Sequence, residues 1–286
     1  MRMVGIDRIG CRLDRLATLS LFYPLSCAIG LGRGNIPILM YHSISAEEEF
    51  RGHWYYRINT TPEVFADHML NLAHNGYSVV RLCDVVSHFA TGSELPTKPV
   101  VLTFDDGYED FYTHAFPILR KYGFTATVFL ATDYVGNIFK LKNCMNWTQL
   151  RNLSKEGINF GSHTVTHPEL NYMGTDELYY ELNSSKKTIE DNIGVSADSF
   201  SYPFAFPEAD YKFKAILKHT LVECGYTHGV TTNIGTIDTP NDLFFLKRIP
   251  VNTYDDTVFF KAKLNRGYDW MYKLQYMSKL LKSLLC

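Results

Sequence analysis

From residue 36 onward the chain alternates short apolar runs with longer segments of helical spacing, and that alternation leaves few architectures open. Repeated strand and helix signals predict βα units around a parallel sheet. The strand candidates are Ile36 to Met40, Val100 to Phe104, Ala126 to Leu130, Ile158 to Gly161, Phe200 to Pro203, Gly229 to Thr232 and Leu246 to Val251. About seven such runs in one α/β unit suggest an incomplete barrel. Between the first two, "TTPEVFADHMLNLAHNGY" has Thr60 or Thr61 as a cap and Pro62 in the first turn. It spaces Phe65, Met69 and Leu72 along one face and stops at Gly76. "GTDELYYELNSSKKTIEDNIG" repeats the logic between Thr175 and Gly194.

A chain of 286 residues can bury one sizeable core, and 46% hydrophobic residues with a net charge of −2 describe a folded protein without a polyelectrolyte partner. A nucleic-acid partner is therefore not expected. The six cysteines, at 11, 27, 83, 144, 224 and 286, form no C-x-x-C pair and fit a reducing compartment. The first 33 residues carry basic residues at 2, 8, 12 and 15 and an apolar stretch from Leu16 to Leu31. Ser20, Pro24 and Ser26 interrupt that stretch, which is short for a membrane span, and Asp7 and Asp14 suit a signal peptide poorly. A cytoplasmic or membrane-associated location is favoured over a secreted or periplasmic one. The expected division is an N-terminal segment 1–33 with possible membrane association, a main domain 34–269 and a C-terminal helix 270–286.

Polar residues fall where the strand-like runs end: His42 after the first, Asp105 and Asp106 after the second, His163 after the fourth. In parallel barrels chemistry collects at the carboxyl ends of strands. Two adjacent carboxylates repel, and keeping both ionised in a partly buried loop requires a cation or a shifted pKa. A metal would meet that need. In "GSHTVTHPEL", His163 and His167 stand four apart and could face the same way on a helical turn. One Asp and two His leave a coordination position open, as catalytic sites do. An H-x-x-x-H pair alone is more often a solvated helix face, and Asp-Asp-Gly alone is usually a turn. Their conjunction, each just past a strand, favours a site.

"TFDDGY", followed about fifty residues later by "SHTVTH" and then by "SYPF", resembles the polysaccharide deacetylase family, the NodB-homology domains of carbohydrate esterase family 4. "PILMYHSIS", "PILRKYGFTATVFL" and "MNWTQL" are similar in particular to the branch of bacterial poly-N-acetylglucosamine deacetylases. The similarity runs from about Ile36 to about Thr253. It implies a distorted (β/α)7 barrel that removes acetyl groups from N-acetylated sugars. It further implies Asp105 as general base, and Asp106, His163 and His167 as ligands of a divalent ion, with Zn2+ favoured.

The chain departs from the family pattern in three places. Ser201, Tyr202, Pro203 and Phe204 stand where the family commonly has Arg-x-Pro-Tyr, so the arginine that holds the base is absent there. Arg248 could supply that cation from a neighbouring strand, and the backbone N–H near Phe204 could steady an oxyanion. Ala205 replaces a usual glycine. No histidine follows His228 to act as the late general acid, so His42 is the substitute candidate. Tyr108, Trp147, Tyr202, Phe204 and Phe206 are candidates to line a sugar site, with core packing the alternative. Two rivals stay open: a deacetylase or deformylase of a lipid-linked sugar, and a silent glycan-binding barrel. In the tail, Trp270, Leu274, Met277, Leu281 and Leu284 make one apolar stripe, with Lys273, Lys279 and Lys282 outside it. That stripe suits either a helix packed on the barrel or one lying on an anionic membrane.

Overall fold

Seven parallel strands close on themselves in the computed structural model, which describes residues 12–30, 34–47, 57–240 and 242–285. They are β1 (Ile38–Tyr41), β2 (Pro99–Phe104), β3 (Thr127–Leu130), β4 (Asn159–Ser162), β5 (Ser199–Ser201), β6 (His228–Ile234) and β7 (Leu246–Pro250). β1 pairs with β7 on one side and β2 on the other, which completes the ring. All seven expected strands are present, with ends displaced by one or two residues. The expected barrel is therefore the observed one.

The helices are α1 (Pro62–His74), α2 (Leu82–Thr91), α3 (Phe116–Tyr122), α4 (Trp147–Lys155), α5 (Thr175–Ile193), α6 (Tyr211–Glu223), α7 (Thr257–Leu264) and α8 (Met271–Leu285). α1 begins where the Thr61 hydroxyl accepts from the Val64 N–H at 3.4 Å, and Pro62, which has no N–H to lose, sits in the first turn. Its Phe65, Met69 and Leu72 are buried in the cluster formed by Leu39, Tyr41, Leu102 and Phe104. Strands covered by helices outside and side chains inside are apolar almost throughout, which is why "PVVLTF" reads as a continuous run. The interruptions point inward. Thr103, Ser201 and Arg248 are fully buried and form a polar centre inside the barrel.

The N-terminal segment is helical from Leu13 to Ala28, with a π-turn at Thr18–Phe22, and lies against the barrel. Arg12 bonds Asp14 and Asp255, Tyr268 donates to Asp14, and the Phe22 and Trp270 rings stack at 4.6 Å. Among the described residues no helix is long and apolar enough to cross a membrane. Cys27, Cys83, Cys144 and Cys224 are free thiols, while Cys11 and Cys286 lie outside the described residues.

The tail does form a helix on the barrel, but it docks by its polar side. Gln275 and Lys279, one turn apart, bond β6, whereas Leu274, Met277 and Leu281 remain 50%, 57% and 59% exposed. Trp270 leaves the expected stripe, since its Nε1–H donates to Thr18. The side chains of Lys282, Leu284 and Leu285 lie outside the described residues.

Candidate active site

β2 delivers the two acids and the residues after it turn them apart. Asp106 and Gly107 both adopt left-handed backbone, with φ of 70° and 68°. Aspartate tolerates that region and glycine is required at 107, where a Cβ would meet Leu130 Cδ2 at 2.8 Å. Asp105 turns into the barrel centre. Its carboxylate receives Arg248 Nη1–H at 2.8 Å and Nη2–H at 2.7 Å, the two-pronged geometry that suits guanidinium to carboxylate. Arg248 spends its remaining donors on Thr231 O, Thr103 Oγ1 and Ser201 Oγ, and the Ser201 hydroxyl lies 3.3 Å from Asp105. Burial alone would raise the Asp105 pKa, but Arg248, with the His163 and His42 imidazoles, holds it well below the usual carboxylate range.

Asp106 points the other way. Its Oδ1 lies 3.6 Å from His163 Nε2 and 3.4 Å from His167 Nε2, and one ligand atom from each of the three fits within 4.8 Å of the others. The two histidines come from an irregular loop, not the helical turn expected from their spacing. Thr164 and His167 have φ of 73° and 56°, and the rings meet at 4.7 Å. Glu181 of α5 organises that loop: its buried carboxylate accepts from the Val165 and Thr166 N–H groups and from the Thr166 hydroxyl, at 2.7 to 2.9 Å.

Three buried groups are consistent with a divalent ion at this point. Among the described residues, both Asp106 oxygens and His167 Nδ1 lack a hydrogen-bond partner, which is costly in a dry site unless something else engages the cluster. His163 donates Nδ1–H to Ser201 O at 2.7 Å, which leaves Nε2 free as a ligand, the usual outer support of a metal-binding histidine. Burial and the His163 imidazole push the His167 pKa down to about 3, so His167 is neutral and able to ligate at neutral pH. The donor set of one carboxylate and two imidazoles suits zinc and neighbouring first-row ions.

A cavity of about 340 Å³ opens over these groups, lined also by His42, Arg57, Lys140, Phe204 and Gln275. His42 Nε2 stands 3.9 Å from Asp105 Oδ2, and burial lowers the His42 pKa against the pull of both acids. Among the described residues, Asp106, Lys140, His167 and Phe204 have positive φ and all line this cavity, so strained backbone gathers where the side chains converge. A larger hollow of about 800 Å³, bordered by Ser26, Tyr77, Lys98 and Asn265, contains none of this chemistry.

The aromatic candidates divide. Phe204 is 45% exposed at the mouth, its ring 4.6 Å from that of His167. Tyr202 lines the cavity but is almost entirely buried, edge-on to Phe206. Tyr108 is 1% exposed in a cluster with Phe139 and Cys144, Phe206 is core, and Trp147 packs on the main core away from the cavity. Tyr108 and Phe206 have no face to offer a sugar, while Trp147 is half-buried and lies outside the lining of this cavity. Sequence reasoning also passed over Lys140, whose ammonium lies 3.8 Å from Asp106 Oδ2 and 4.5 Å from the centre of the Phe139 ring. It missed Glu181 and Gln275 as well; nothing in their local pattern distinguishes them from surface residues of a helix.

The chain is similar to known proteins. A family profile described as polysaccharide deacetylase matches residues 92–227. YxkH of Bacillus subtilis (strain 168), itself provisionally named a polysaccharide deacetylase, is 30% identical over 217 residues, covering 76% of this chain and 71% of that protein. A poly-β-1,6-N-acetyl-D-glucosamine N-deacetylase of Staphylococcus aureus (strain MRSA252) is 25% identical over 175 residues, 58% of each chain. Among solved structures, a Streptococcus pyogenes deacetylase in complex with acetate superposes with a TM-score of 0.70 at 26% identity, over 80% of this chain and 98% of that one.

Proposed function

The chain belongs to the polysaccharide deacetylase family, and from that membership we propose that it is a metal-dependent hydrolase removing N-acetyl groups from an amino-sugar glycan. The observation that carries the reading is the division of the adjacent acids: Asp105 is engaged by Arg248, whereas Asp106 accepts no hydrogen bond among the described residues and stands beside two histidines, with the Lys140 ammonium 3.8 Å away. A silent glycan-binding barrel would have no need of that division. Asp106, His163 and His167 would hold the ion, which we take to be Zn2+. Such an ion supplies Lewis acidity, acidifying water and polarising a carbonyl.

Asp105 acts as the base, taking a proton from the water that adds to the acetamide carbon. Arg248 keeps that carboxylate ionised and fixes its direction. Phe204 N–H, which has no protein acceptor among the described residues, is available to the developing oxyanion. His42, neutral at neutral pH, stands 3.9 Å from Asp105, a separation that one water would bridge, so that it could receive the proton from Asp105 and pass it to the departing nitrogen. The C–N bond breaks, and acetate and a free amino sugar leave. His42→Asn is expected to lower kcat by about a hundredfold with metal content unchanged; an unaltered kcat would remove His42 from the reaction.

The metal reading has its own test. The purified protein is expected to bind about one divalent ion per chain, and His163→Ala or His167→Ala to lose most of it, because two ligands rarely retain zinc. Metal analysis of each variant checks this, and full occupancy in the double variant would contradict it.

We also propose peripheral contact with an anionic lipid surface through α8, which would bring the site to a membrane-borne glycan or a lipid-linked sugar. The exposed Leu274, Met277 and Leu281 with Lys273 beside them support this. Leu274→Asp with Leu281→Asp is expected to reduce sedimentation with anionic liposomes several-fold while sparing activity on a soluble oligomer. An unmodified protein that never sediments with them would contradict it.

A further inference from the structure

We infer that Gln275, on the C-terminal helix beyond the family similarity, is a positioning residue for the catalytic groups; this rests on the deacetylase reading above. β6 and β7 change register between Val230 and Ile234, so the sheet leaves backbone groups open there. Gln275 fills the gap with both ends of its amide: Nε2–H donates to Thr232 O at 2.8 Å, and Oε1 accepts from Ile234 N–H at 3.0 Å. Lys279, on the same face one turn later, donates to Asn233 Oδ1 at 2.8 Å. Three consecutive residues of β6 are thus fastened by one helix.

Those residues adjoin both anchors of the chemistry. Thr231 O receives Arg248 Nε–H at 2.9 Å, and Arg248 holds Asp105. The Thr232 hydroxyl donates to Phe204 O and accepts from Phe206 N–H, both at 2.9 Å, and so fixes the loop that carries the Phe204 N–H. A shift of β6 at Thr232 would therefore move the base through Arg248 and the oxyanion donor through Phe204 together. Gln275 also lines the cavity itself. On this inference, deleting the helix would lower activity on any substrate.

Gln275→Met keeps the length of the side chain and removes both hydrogen bonds. It is expected to lower kcat about tenfold with KM within twofold and metal content unchanged, since small displacements of reacting groups cost rate before binding. Gln275→Glu, which keeps the acceptor for Ile234 but sets a carboxylate oxygen against Thr232 O, should lower kcat at least as far. Ser278→Ala, at an exposed position of the same helix, should change neither constant. Thr232→Val, which cuts only the route to Phe204, should lower kcat by less, and the double variant Gln275→Met with Thr232→Val should lose less than the product of the two single losses, because that route is shared. Wild-type kcat in Gln275→Met, or fully multiplicative losses in the double variant, would overturn the inference. If Gln275→Met fails to fold, Gln275→Glu and the Thr232 pairing decide it. An unmodified protein that releases no acetate would instead sink the deacetylase reading and is distinguished by that.

Discussion

Asp105→Asn is expected to reduce acetate release by about a thousandfold or more while the protein keeps its metal, because an amide cannot accept the proton of the attacking water. Asp106→Asn should do the reverse in order, losing metal first and activity as a consequence. The two substitutions are chemically identical and one residue apart. They differ only in what each carboxylate faces: Arg248 in one case, the His163 and His167 imidazoles in the other. Metal content measured beside rate separates them, and equal metal loss in both variants would contradict the division of labour.

The second large effect concerns stability. Arg248 is fully buried and Asp105 nearly so, which makes theirs a buried ion pair. Removing one partner leaves an uncompensated charge, and Arg248→Met or Asp105→Asn alone should each cost about 3–5 kcal/mol. The double variant should recover much of that loss, since a neutral pair of similar volume carries no desolvated charge. It should remain inactive. The pH dependence follows from the depressed Asp105 pKa. Its contribution to stability is complete above the unfolded value of about 3.9 and is lost as pH falls through the lower folded value. Without Arg248 the carboxyl titrates higher, so the acid limb of the rate profile should move to higher pH. Denaturant unfolding of the four proteins checks the first point, and pH–rate profiles of the wild type and Arg248→Met check the second. Additive destabilisation would contradict the pairing.

Much of this was legible in the sequence for a physical reason. "VLTFDDG" and "GSHTVTH" put charged or ligating side chains directly after strands, and a parallel barrel brings all its strand ends to one mouth. Arg248 could be anticipated because the family resemblance asks for an arginine beside Asp105 and "RIPV" reads as a strand able to bring one. The aromatic candidates were less legible, since Tyr108 and Phe206 fill the core as readily as they would line a site, and only burial separates the two uses. Glu181 and Gln275 were illegible because each lies in a helix rich in polar residues. What sets them apart is the backbone they reach: the "HTVT" loop for one and the irregular stretch of β6 for the other. The spacing of His163 and His167 suggested a helical turn, yet left-handed residues at 164 and 167 gave a tighter loop that no periodicity encodes.

The central claim is tested most directly by acetate release from an N-acetylglucosamine oligomer, measured on protein stripped by a chelator and then reloaded with one equivalent of Zn2+. Negligible release from the stripped protein, restored on reloading in the wild type but not in Asp105→Asn, is the predicted result. Undiminished release from protein verified to be free of metal, or none from the reloaded wild type on any N-acetylated glycan, would contradict it.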